Sequence, residues 1–135
     1  MTPASILVLV VEDEPLILDM VQEALEDSGF AVVLASSGEE ALARLDDRAP
    51  ELRALVTDIR LPGKATGWDV ARRARQLTPD LSVVYVTGDS AADWASQGVP
   101  NSVLVGKPFV PAQIITAVSQ LLNAASTTIS STSPA

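Results

Sequence analysis

Five short runs rich in Val, Leu, Ile and Ala alternate with five helix-period segments along this chain, and four of the runs close on an acidic, hydroxyl or ammonium side chain. Alternation of this kind is the βαβ pattern of a parallel sheet covered by helices. The runs are Ile6–Val11, Phe30–Ala35, Ala54–Thr57, Leu81–Thr87 and Ser102–Gly106. Glu12 and Asp13 follow the first, Asp58 the third and Lys107 the fifth, while Thr87 ends the fourth. Parallel strands gather their C-terminal ends along one edge, where open α/β sheets bind ligands. Groups scattered over most of the chain are thereby expected to meet. They would form an acidic, oxygen-rich hole with one ammonium and one hydroxyl beside it, a donor set suited to a hard divalent cation and a phosphoryl group.

The intervening segments carry helix signals. Pro15 suits a first helical turn, Ile17, Val21, Ala24 and Leu25 form one apolar stripe, and Gly29 stands where a helix would end. Ser37 and Glu40 have the spacing of a capping box opening a helix to about Leu45. A breaker-rich loop, residues 61–67, precedes a helix from Trp68 to Leu77, on which Arg72, Arg73 and Arg75 read as a solvated face. Only Ala91–Gln97 can be helical before Gly98, Pro100 and Asn101, so the fourth helix is expected to be short or irregular. The last helix is expected over Pro111–Leu122. From residue 124 to 135 the chain is a polar, low-complexity tail that reads as disordered.

Composition narrows the chemistry. A chain of 135 residues with 47% hydrophobic content reads as one domain, residues 1–123, with a real core. A net charge of −8 argues against direct nucleic-acid binding. Cysteine and histidine are both absent, which removes disulfides, thiol catalysis and histidine-based triads, and any phosphohistidine must come from another protein. No stretch approaches the roughly 20 apolar residues of a membrane span. The N-terminus reads as a first strand without a basic leader, so a complete, short cytoplasmic protein without membrane insertion is expected.

Four pieces in order carry a family resemblance: Val-Val-Glu-Asp-Glu-Pro (10–15), Val-Thr-Asp-Ile-Arg-Leu-Pro-Gly (56–63), Val-Tyr-Val-Thr-Gly (84–88) and Gly-Lys-Pro-Phe (106–109). Over about residues 5–122 the chain resembles the CheY-like receiver domain of two-component response regulators, in stand-alone form. The resemblance implies an α/β, flavodoxin-like, doubly wound five-stranded parallel sheet of order 2-1-3-4-5. It also implies that Asp58 is the phosphoacceptor and that Thr87 and Lys107 are the switch hydroxyl and the lysine of the site. Glu12, Asp13, Asp58 and the backbone carbonyl of Arg60 would hold Mg²⁺. Pro108 matches a position where the family often has a cis peptide. Implied partners are a sensor histidine kinase or histidine phosphotransfer protein and a downstream target protein, the chain being a phosphoprotein of a phosphorelay and not an enzyme beyond its own phosphorylation and slow dephosphorylation.

Departures from the family pattern are specific. Leu104 stands where a Tyr or Phe usually lies three residues before the lysine, so an aromatic flip coupled to Thr87 is not expected. The loop after Asp58 is longer by about one residue. A haloacid-dehalogenase-type phosphatase is the alternative from another class, but it wants a second acid two residues after the nucleophile, where Arg60 stands. A receiver-like docking module that is not phosphorylated is the other alternative. The intact set Glu12, Asp13, Asp58, Thr87 and Lys107 argues against it.

Overall fold

A computed structural model describes residues 5–131, with side chains described up to residue 125. Twelve segments of secondary structure follow one another, and the principal ones are β1 (Leu7–Val11), α1 (Pro15–Asp27), β2 (Ala31–Ala35), α2 (Gly38–Arg48), β3 (Leu52–Asp58), α3 (Gly67–Leu77), β4 (Ser82–Thr87), α4 (Trp94–Gln97), β5 (Ser102–Gly106) and α5 (Pro111–Ser131). Single 3₁₀ turns at Ala49–Glu51 and Ala91–Asp93 lead into β3 and α4. All strand pairs are parallel, in the order β2-β1-β3-β4-β5, as the resemblance implied.

The period of two within each strand divides the core between the two faces of the sheet. Leu9, Val11, Leu55, Val83 and Tyr85 face α2 and α3, where Ala41, Leu45, Trp68, Ala71 and Ala74 pack on them. Val8, Val10, Val56, Val84, Val86 and Val105 face α1 and α5, against Val21, Leu25, Ile114 and Val118. β4 is buried at every position, as expected of a strand with a neighbour on each side and helices on both faces. Gly29 takes a φ of +96° just past the end of α1, the helix-terminating role its place suggested.

Several boundaries depart from the sequence reading. β3 starts at Leu52, because Arg53 is passed over in the pairing with β1: Leu7 pairs with Leu52 and Val8 with Ala54. This bulge lets an exposed arginine sit inside an otherwise buried strand. α4 is a single turn, in line with the breakers around it. α5 continues through residues 124–131, where a disordered tail was expected; Ala124 and Ala125 favour helix, and extending an existing helix avoids the cost of nucleation. The rest of that tail, residues 132–135, lies outside the described residues. Among the described residues no helix is long and apolar enough to cross a membrane.

Candidate functional site

The strand register brings the chemistry-bearing groups to one edge. Val11 pairs with Thr57, Asp58 with Val86 and Thr87 with Gly106, so Glu12, Asp13, Asp58, Thr87 and Lys107 emerge side by side at the C-terminal ends of β1, β3, β4 and β5. Gly67, opening α3, lies so close under this edge that a Cβ there would overlap the carbonyl of Asp58. The backbone N–H of Gly67 donates to the Ile59 carbonyl at 2.8 Å, fixing the chain just after Asp58.

At the centre, the Lys107 ammonium donates to Oδ2 of Asp58 at 2.9 Å and lies 3.1 Å from Oε1 of Glu12. Both carboxylates are buried, at 7% and 4% exposure, while Asp13 is exposed. Glu12 is held further by the backbone N–H of Glu14, which donates to Oε2 at 3.0 Å. One ammonium between two buried acids leaves the hole net negative. Carboxylate oxygens of Glu12, Asp13 and Asp58 lie within 4.8 Å of one another, with no nitrogen or sulfur ligand among them. Such an all-oxygen set can hold a hard cation such as Mg²⁺.

The electrostatics follow from this crowding. Burial raises the pKa of Asp58 above the ordinary carboxylate value; the Lys107 hydrogen bond and charge pull it down without cancelling the rise. Glu12 is raised in the same way, first by burial, with the neighbouring Asp58 charge adding to it. For Lys107 burial acts to lower the pKa, but its hydrogen bonds to Asp58 and Glu12 prevail and the net direction is upward.

Thr87 is buried beside this hole, and its hydroxyl oxygen is turned to its own loop. Oγ1 accepts from the backbone N–H of Ser90 at 2.7 Å and of Asp89 at 3.2 Å. Arg60 opens the loop after β3, and its guanidinium pairs with Asp89 at 2.9 Å, bridging the two loops that flank Asp58. Lys107–Pro108 is a cis peptide. Leu104 pairs in register with Tyr85 of β4 and is partly buried against the α2/α3 side of the core.

Other anchoring residues were not visible in the sequence. Glu39, in the first turn of α2, accepts from the backbone N–H groups of Ala65 and Lys64 at 2.9 and 3.1 Å, and so clamps the long loop after Asp58. Arg75, read as part of a solvated face, donates to the carbonyls of Leu81 and Pro100, both at 2.6 Å. Arg72 reaches the carbonyl and side chain of Gln97. Leu81 is six residues from Arg75 and the other partners are 25 or 26 residues away, and no local spacing signals them.

Comparison with known proteins follows the same lines. The family model described as response regulator receiver domain matches residues 8–119. A response regulator receiver protein from Sinorhizobium medicae has a solved structure that superposes with a TM-score of 0.86 at 45% identity, covering 90% of this chain and 97% of that one. The response regulator receiver protein CpdR of Brucella abortus is 30% identical over 87% of this chain and 98% of its own length. The phosphate regulon transcriptional regulatory protein PhoB of Pseudomonas aeruginosa is 31% identical over 85% of this chain, which spans only 51% of that relative. The chain thus covers about half the length of several of the curated relatives it matches.

Proposed function

The chain belongs to the response regulator receiver family, and from that premise we propose that it is a phosphoryl switch in a two-component relay, with Asp58 as acceptor. The donor is the phosphohistidine of a sensor histidine kinase or a histidine phosphotransfer protein, and the receiver of the signal is a downstream target protein. The observation that carries this reading is the buried Asp58 carboxylate held at 2.9 Å by Lys107 among Glu12 and Asp13.

In the transfer, a carboxylate oxygen of Asp58 bonds to phosphorus as the donor's P–N bond breaks, and the departing imidazole nitrogen keeps the electron pair and takes a proton. Little covalent work falls to the protein in such a reaction; positioning and charge neutralisation dominate. Lys107 fixes one Asp58 oxygen, leaving the other to attack, and its ammonium stays beside the incoming phosphoryl oxygens. Glu12, Asp13, Asp58 and the backbone carbonyl of Arg60 would hold Mg²⁺, which when bound neutralises charge on the transferring group. Once Asp58 is phosphorylated, its added oxygens offer acceptors to the Thr87 O–H. Turning the side chain toward them takes Oγ1 away from the N–H groups of Ser90 and Asp89. The hydroxyl donates to one of the phosphoryl oxygens, and the β4–α4 loop shifts.

Incubation with Mg²⁺ and acetyl phosphate is expected to give acid-labile, acyl-type phosphate on the wild-type protein and none on Asp58→Ala, with the fold of the variant intact by circular dichroism. Undiminished labelling of the variant would overturn the assignment of Asp58.

A further inference from the structure

An event at Asp58 needs a route out of the site, and Leu104 offers no ring to follow Thr87. The aromatic ring at this level belongs to its neighbour in register, and its use is different. Tyr85 lies two residues before Thr87 on β4, so both point to the same face of the sheet. Its side chain is fully buried, with its ring centroid 4.8 Å from that of Trp68 on α3. Its hydroxyl accepts the backbone N–H of Val99 at 3.1 Å.

Val99 closes the segment that Thr87 opens. At the near end, Thr87 Oγ1 holds the N–H groups of Asp89 and Ser90; at the far end, Tyr85 holds Val99. Between these anchors lie the 3₁₀ turn Ala91–Asp93 and the single turn of α4, neither of which contains a buried residue. Exposed tethers are added by Arg72, at the carbonyl and side chain of Gln97, and by Arg60, at Asp89. The Val99 end also holds Trp94. Its indole N–H donates to Ser102 Oγ at 2.9 Å, and Ser102 donates in turn to the Val99 carbonyl at 2.7 Å. Trp94 is 37% exposed.

The two hydroxyls that suspend this segment differ in what holds them. Thr87 has a short side chain that rotates about one bond at the rim of the hole. Tyr85 has no exposed surface and lies against Trp68, and a ring enclosed in a close-packed core does not swing without repacking. Release at the near end has a structural consequence, because Ser90 is buried and its N–H cannot stay unpaired. Segment 88–99, poor in buried contacts, is the part free to move in response.

We propose that the Tyr85 hydroxyl is a fixed pivot on which residues 88–99 turn when Thr87 lets go, carrying Trp94 with them; the inference rests on the phosphoaccepting reading of Asp58. Tyr85 is thus a positioning residue for the output of the switch.

Fluorine NMR of protein labelled with 5-fluorotryptophan tests this in one sample, with Mg²⁺ and beryllofluoride as the phosphoryl mimic. Bound fluoride signals report occupancy of Asp58, and the Trp94 resonance, assigned with Trp94→Phe, reports the segment. At full occupancy the wild-type Trp94 resonance is expected to move; in Tyr85→Phe occupancy persists and the movement falls at least twofold. Equal movement in Tyr85→Phe, or none in the wild type at full occupancy, would overturn the pivot. Absence of bound fluoride in the wild type would instead overturn the phosphoaccepting reading, and the pivot with it. Amide exchange on the wild type gives an independent check: the mimic should expose Asp89 and Ser90 while Val99 stays protected. Loss of protection at Val99 together with them counts against a fixed pivot.

Discussion

Lys107 faces two carboxylates whose pKa values burial raises, and the balance among the three sets how the site behaves with pH. Asp58 and Glu12 are both raised, so the folded protein keeps protons that the unfolded chain has released. Stability therefore falls as pH rises from the ordinary carboxylate range, about pH 4, through the raised values. Lys107 is raised too, so its contribution is complete below the ordinary lysine value and is lost only as pH climbs through its own raised value. Two substitutions separate these effects. Asp58→Asn removes one of the crowded charges while Lys107 keeps Glu12, and is expected to stabilise the fold by about 1 kcal/mol at pH 7 and to flatten the acid-side slope. Lys107→Ala leaves both acids without a counter-charge, although Glu12 keeps the Glu14 N–H, and is expected to cost about 2 kcal/mol. Urea denaturation between pH 4 and pH 8 would check both, and an Asp58→Asn variant no more stable than the parent at pH 7 would contradict the account. A site that is less stable when correctly charged is what a binding hole should look like, since its charges are arranged for a ligand rather than for one another.

The five strands were legible as runs of apolar residues, but the start of β3 at Leu52 and the way the loops are fastened were not. Ser37 and Glu40 have capping-box spacing, but only one arm forms: Ser37 accepts from the Glu40 N–H at 3.1 Å, while the Glu40 carboxylate contacts Ser36. The reciprocal box is at α3, where Thr66 accepts from the Asp69 N–H at 3.2 Å and Asp69 accepts from the Thr66 N–H at 2.9 Å. Asp in place of Glu or Gln at the third position hid that signal. Thr66→Ala is accordingly expected to cost about 1 kcal/mol, measurable by thermal melting. The Glu39 clamp was hidden for a different reason, since its partners are backbone amides more than twenty residues on. Hydrogen bonds from those amides, that of Ala65 foremost, lower the Glu39 pKa. The clamp is therefore in place above the ordinary carboxylate value and is lost as pH falls through the lowered one. Glu39→Ala should speed amide exchange at Lys64 and Ala65 by about tenfold or more without unfolding the sheet, as local opening does. An unchanged rate would mean that the loop holds itself. That Glu12, Asp13, Asp58, Thr87 and Lys107 meet at one edge was readable because strand-end placement is a topological property, whereas Arg75, Glu39 and Tyr85 make contacts that only the folded chain creates.

The whole molecule is the smallest unit in which the acidic hole exists. Glu12 and Asp13 come from the end of β1 and Asp58 from the end of β3, so their oxygens meet within 4.8 Å only when the sheet is formed. A cation that needs all three binds the folded state and not the unfolded chain, and must raise stability by mass action. At a free Mg²⁺ concentration 100 times its dissociation constant the gain is about 2.7 kcal/mol, or roughly 10 °C in melting temperature for a domain of this size. A rival explanation needs no site: the chain carries a net charge of −8, and any added salt relieves its self-repulsion. The two differ in what removes the effect. Screening depends on ionic strength alone, so NaCl at matched ionic strength should reproduce it and Asp13→Asn should keep nearly all of it. A built site is lost with one ligand, so Asp13→Asn should abolish most of the Mg²⁺ increment while leaving the NaCl response intact. Asp13 is the right probe because it is exposed and bonds to neither Lys107 nor the core, so its amide replaces a ligand without disturbing the fold. If Mg²⁺ stabilises wild type and Asp13→Asn equally, the carboxylates are neighbours without being a cation site.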